Sequence, residues 1–130
     1  LAEFGYPMGM AFQLRDDVLG VFGDERVTGK PAGDDLREGK RTALIAIARQ
    51  ALAAPARRIL DELLGDPSLD AAQIAALQGT IIDTGALATV ETMIADYAQR
   101  ADRALAGAPL GNTAVGVLGD LAVAATRRVA

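Results

Sequence analysis

The chain has 130 residues, 51% of them hydrophobic, 23% charged and 4% aromatic, a size that fits one domain or a piece of one. With 27 Ala, 14 Gly, five Pro and no Trp, it is too apolar for disorder and too varied for a fibre, and an Ala/Leu-rich chain poor in aromatics favours helix. It has no His or Cys and a net charge of −4, which excludes Ser/His and Cys/His nucleophile systems, thiolate zinc sites, haem and iron–sulfur ligation and disulfides built by this chain alone. An electrostatic grip on nucleic acid by the whole domain is not expected.

Residues 4–22 read as a helix, with Phe4, Met8, Phe12, Leu19 and Phe22 at mostly helical spacings. Pro7 suits only its first turn, and Gly23 sits where a helix-ending glycine should. Residues 23–41 then hold 10 of the chain's 30 charged residues together with four Gly and one Pro. That density forbids a helix through the segment and predicts a long charged loop, a kind usually functional or disordered.

From Thr42 the helical pattern returns, with Leu44, Ile45, Ala48 and Leu52 on one face. Pro55 breaks the run, and Ile59, Leu60, Leu63 and Leu64 start another before the turn Gly65-Asp66-Pro67. Asp70 can cap a further helix, with Gln73 three residues on and Ile74, Leu77 and Ile81 facing inward. Gly85 ends it. Leu87, Val90, Ile94, Tyr97, Ala101 and Leu105 mark a long helix closed by Gly107 and Pro109. Asn112 can cap the last, whose face is Leu118, Leu121, Ala125 and Val129. No strand, internal repeat, basic-then-apolar leader or membrane span is read. The expectation is an all-α chain of about six helices with short turns and one long charged loop.

Two features carry chemistry. Asp16 and Asp17 lie near the C-terminal end of the first helix, where the helix dipole disfavours negative charge by about 0.3–1 kcal/mol. Both are flanked by apolar residues. A divalent cation would compensate them, since Mg²⁺ binds through one or two carboxylates plus waters and substrate phosphates. Taken alone, the pair reads more readily as a solvated acidic patch. In the loop, Gly29-Lys30-Pro31 and Gly39-Lys40 each set a lysine beside a glycine, a form suited to a mobile phosphate contact. No GxxxxGK[ST] is present, so this is not a P-loop. Cation, lysines and diphosphate would together form one electrostatic set able to stabilise a departing diphosphate.

The run GMAFQLRDDVLGVFGD (residues 9–24), followed by TGKP (28–31) and DLREGKRT (35–42), resembles the second aspartate-rich region of the trans-polyprenyl diphosphate synthases. DTGAL at 83–87, with Tyr97 and Ala101 beyond it, resembles the helices that follow in that family. The resemblance covers essentially the whole chain and implies the C-terminal portion of such a synthase. It would place the second motif at 16–20, the diphosphate loop at 23–41 and C-terminal helices over 42–130. It implies an all-helical fold around a deep apolar cavity, and Mg²⁺-dependent condensation of an allylic diphosphate with isopentenyl diphosphate in a cytoplasmic homodimer. By the same resemblance Asp16 and Asp17 are the metal residues and Gln13 and Lys30 the catalytic ones. Phe12, Gln13, Lys30 and Lys40 bind substrate, and Arg127 and Arg128 reach toward isopentenyl diphosphate.

The chain departs from the family pattern in two ways. The motif is usually DDxxD, and Gly20 stands at its last position. No second DDxxD lies elsewhere in residues 1–130, so the chain alone is expected to have little or no prenyltransferase activity. The alternative is a non-catalytic helical partner subunit, or a truncated relative that binds a prenyl synthase. A helical diphosphate cyclase is disfavoured by the TGKP and GKRT elements.

Overall fold

A computed structural model describes residues 2–107 and 112–126. Among them the chain forms eight α-helices and no strand: α1 (Ala2–Phe22), α2 (Glu25–Thr28), α3 (Asp34–Glu38), α4 (Ala43–Ala51), α5 (Ala54–Leu63), α6 (Ala71–Asp83), α7 (Ala86–Ala106) and α8 (Asn112–Thr126). The all-α expectation holds. The two helices beyond the expected six lie inside the charged segment, because two of its glycines end short helices instead of melting them. Gly29 closes α2 at φ 73° and Gly39 closes α3 at φ 72°, left-handed conformations that glycine adopts without penalty.

The described residues divide into two compact units, one drawn from 1–16 and 91–128 and the other built on Asp17–Val90.

In the first unit, Phe4, Met8, Ala11, Leu14, Ile94, Ala98, Ala101, Leu105 and Ala122 are buried. In this unit the α7 stripe is Ile94-Ala98-Ala101-Leu105, so Tyr97 is half-buried beside it and not on it; Ala86 and Val90, buried, and Leu87, half-buried, belong to the other unit. On α8, Leu121 is 41% exposed and Leu118 half-buried, while Ala122 is buried. Pro109, Arg127, Arg128 and Val129, and the side chains of Asn112 and Ala125, lie outside the described residues. Arg15 is 4% exposed. Its guanidinium bonds Glu91 at 2.7 and 3.0 Å and the Thr126 carbonyl at 3.1 Å, which answers a charge that would otherwise be costly to bury.

In the second unit, Val18, Val21, Leu36, Leu44, Ile45, Ala48, Leu60, Ile74, Leu77, Ile81 and Val90 form the core. Ile59 is 59% exposed, so the inward face of α5 turns on Leu60. Thr42 caps α4 by accepting from the Ile45 amide at 3.3 Å. Asp70 and Gln73 form the reciprocal capping box that opens α6, at 2.8 and 2.9 Å.

The charged segment is stitched down at α3 and the glycine that follows it. The Arg37 guanidinium donates to the Leu69 carbonyl at 3.1 Å, and the Gly65 amide donates to the Leu36 carbonyl at 2.9 Å. Gly39 packs so tightly on this turn that a Cβ there would lie 2.8 Å from the Gly65 Cα. Helix α1 begins at Ala2, two residues earlier than its apolar spacing suggests, which places Pro7 inside the helix at the loss of one backbone bond.

Candidate functional site

Helix α1 sorts its residues into two stripes. Leu14, Asp17, Val18 and Val21 are buried; Gln13 and Asp16 are exposed; Phe12, Leu19 and Gly20 are half-buried. Phe12, Asp16 and Gly20 are spaced by four residues and so follow one line along the helix. Adjacent aspartates therefore part company. Asp17 is 4% exposed and held by interactions within the chain. The Asp16 side chain is open to solvent and makes no hydrogen bond or ion pair among the described residues.

The two lysines stand on the charged segment. Lys30 follows the left-handed Gly29, and its backbone is pinned by Thr28. The Thr28 hydroxyl donates to the Lys30 carbonyl at 3.1 Å and accepts from the Lys30 amide at 3.2 Å. The Lys30 side chain is exposed and makes no ion pair among the described residues. Lys40 follows Gly39, and its amide donates to the Asp35 carbonyl at 3.0 Å. Its ammonium lies 3.9 Å from Asp35 Oδ2.

Asp35 is the residue that sequence reasoning did not single out. It is buried at 8% exposure on α3, and its Oδ2 has no hydrogen-bond partner among the described residues. Its carboxylate fills the notch at Gly20: a Cβ there would lie 2.8 Å from Asp35 Oδ1 and closer still to Oδ2. Nothing in local spacing predicts that approach, although a glycine where an i, i+4 carboxylate would otherwise stand is a signal that something occupies the space.

Two carboxylates, each taken within its own unit, have the chemistry of a hard-cation ligand: the Asp16 side chain is exposed and makes no hydrogen bond or ion pair among the described residues, and Asp35 Oδ2 is a buried acceptor with no hydrogen-bond partner among them. Mg²⁺ needs no more than one or two protein carboxylates beside water and phosphate oxygens. Among the described residues no group of three or more acidic side chains gathers to form a full protein cage. Arg127 and Arg128 lie outside the described residues.

Comparison with known proteins gives a consistent picture. The model of the family described as polyprenyl synthetase matches residues 1–81. The chain is 39% identical over 109 residues to a geranylfarnesyl diphosphate synthase of Aeropyrum pernix, an overlap of 84% of this chain and 33% of that protein. A geranylgeranyl pyrophosphate synthase from Corynebacterium glutamicum, crystallised with isoprenyl diphosphate and magnesium, matches with a TM-score of 0.92 at 39% identity, over 98% of this chain and 36% of that one. A polyprenyl synthase from Caulobacter crescentus, crystallised with calcium and isoprenyl diphosphate, matches with a TM-score of 0.82 at 35% identity, over 98% and 39%. The chain thus spans about a third of the length of the relatives it matches. With a family match over more than half of its residues, this chain belongs to the polyprenyl synthetase family.

Proposed function

We propose that this chain is the C-terminal portion of a Mg²⁺-dependent prenyltransferase that condenses an allylic diphosphate with isopentenyl diphosphate into a longer trans-polyprenyl diphosphate. The supporting relatives are named as prenyl diphosphate synthases, and the two solved structures are complexed with isoprenyl diphosphate and either magnesium or calcium. The observation that carries the reading is the exposed, unpartnered Asp16 near the C-terminal end of α1. That carboxylate is open to solvent and has no hydrogen-bond or ion-pair partner among the described residues, which leaves it available to a cation. The reading extends to a homodimeric enzyme acting in the cytoplasm. Among the described residues no helix is long and apolar enough to cross a membrane.

When bound, Mg²⁺ supplies the positive charge that stabilises a departing diphosphate. The chain's own residues do the rest. Asp16 presents a carboxylate to hold the metal. Lys30 and Lys40 act as point charges on diphosphate oxygens. Gln13, exposed on the same helix, is a neutral donor and acceptor for the allylic end, and half-buried Phe12 offers apolar surface to the prenyl chain.

The test is Asp16→Asn in the complete protein, with Mg²⁺-dependent binding of inorganic diphosphate read by calorimetry. Affinity is expected to fall by about tenfold or more, because a charge-assisted contact contributes roughly 1.5–3 kcal/mol and about 1.4 kcal/mol is a factor of ten. Unchanged affinity at saturating Mg²⁺ would overturn the assignment.

A further inference from the structure

The Asp35 carboxylate is held in an unusual balance. Its side chain is 10% exposed, and Oδ2 is buried without a hydrogen-bond partner among the described residues. Glycine at position 20 is what makes room for it, since any side chain there would collide with the carboxylate. Lys40 Nζ, at 3.9 Å, is near enough for attraction but too far for a hydrogen bond. The lysine side chain is 50% exposed, so it can turn away. Asp35 cannot, because α3 is fastened at both ends. The Leu36 amide donates to the Gly33 carbonyl at 2.9 Å, Lys40 closes back onto Asp35, and the Gly65 amide bonds the Leu36 carbonyl. All of these groups lie in the unit built on Asp17–Val90.

From this geometry we infer that Asp35 is a positioning residue that makes diphosphate binding conditional on a divalent cation. With no anion present, Asp35 draws the Lys40 ammonium toward itself. When Lys40 turns to a diphosphate, Oδ2 loses that counter-charge and remains a buried, uncompensated anion, which is strongly disfavoured. A bare diphosphate adds its own negative charge and is penalised twice. A diphosphate that arrives with a divalent cation is spared, because positive charge is restored near Asp35. The inference rests on the proposed function for the diphosphate itself. It goes beyond that function by locating part of the metal dependence in Asp35, away from the Asp16-Asp17 motif.

The experiment titrates inorganic diphosphate into the complete protein with and without Mg²⁺, in the natural sequence and in Asp35→Asn. Asparagine keeps the shape that fills the Gly20 notch. The variant is expected to bind metal-free diphosphate more tightly, and the ratio of affinities with and without Mg²⁺ is expected to shrink by about tenfold, the scale of one ion pair near 4 Å at a partly solvated site. A second variant, Lys40→Gln, changes a half-exposed side chain and is read with Mg²⁺ alone. It is expected to bind the metal about threefold or more tightly, because the lysine no longer competes for Asp35. Diphosphate binding whose Mg²⁺ dependence is the same in Asp35→Asn overturns this inference and leaves the proposed function standing. An unchanged Mg²⁺ affinity in Lys40→Gln overturns it as well. No diphosphate binding under either condition overturns the proposed function and this inference with it.

Discussion

At position 20 the absence of a side chain matters more than the motif around it. A sequence comparison invites the repair Gly20→Asp, which would return the usual last carboxylate of the aspartate-rich motif. The structure opposes it, because Asp35 already occupies that space and a second carboxylate would meet it at contact distance in a half-buried site. Gly20→Asp is therefore expected to destabilise the fold by about 1–3 kcal/mol, the usual range for forcing extra atoms into a packed site, with like-charge repulsion added to it. Urea unfolding measures the first effect. Mg²⁺-dependent diphosphate binding, expected to weaken, measures the second, and a gain in metal affinity would refute the argument. The same residue scale separates Asp16 from Asp17. Spacing placed both near the end of α1, but only burial distinguishes a carboxylate offered to solvent from one held in the interior.

Helix ends and turns were largely legible, because their signals are local. Thr42, the Asp70–Gln73 box and the glycine stops act within four residues of themselves. The charged segment was legible only in part. Its glycines forbade one long helix; α2 is held by its local caps Asp24 and Gly29, whereas α3 is tied to Leu69 and Gly65 by bonds that no local pattern announces. Helices α4 and α5 are joined by a bidentate pair, Arg49 to Asp61 at 2.7 and 2.9 Å. The Arg49 guanidinium holds the Asp61 carboxyl below its ordinary value, helped by Arg41 and Arg57. A carboxyl lowered in the folded state contributes stability above its unfolded value, and that contribution is lost as pH falls through the folded one. Thermal melts of Asp61→Asn and the natural sequence are therefore expected to differ at neutral pH and to converge as pH drops below about 4, the ordinary range of an aspartate. Parallel acid limbs would show that the pair adds nothing.

At the scale of the whole molecule the Arg15–Glu91 pair is the feature furthest from local prediction. It joins residues 76 positions apart, and the same guanidinium reaches the Thr126 carbonyl across 111. Glu91 keeps 20% exposure and Arg15 only 5%, so the pair is mostly out of water. Arg15→Ala is expected to cost about 3–5 kcal/mol at most, since it leaves a carboxylate and a carbonyl without their donor. Arg15→Met with Glu91→Leu is expected to recover most of that loss in a denaturant titration, because apolar side chains of similar volume leave no charge to satisfy. A double variant no more stable than Arg15→Ala would show that the pair does more than satisfy itself.

By itself the sequence determined the all-helical class, the main helices, most caps and the family resemblance, because apolar period, cap chemistry and motif order are local properties of the chain. It also placed the lysines beside glycines that can turn. Tertiary structure alone decided which stripe of α1 is buried, why α7 packs on Ala98 instead of Tyr97, and that a carboxylate from α3 fills the gap at Gly20. Those outcomes depend on side chains far apart in sequence competing for the same volume and the same counter-charge. Such a competition is settled only once the segments are packed together.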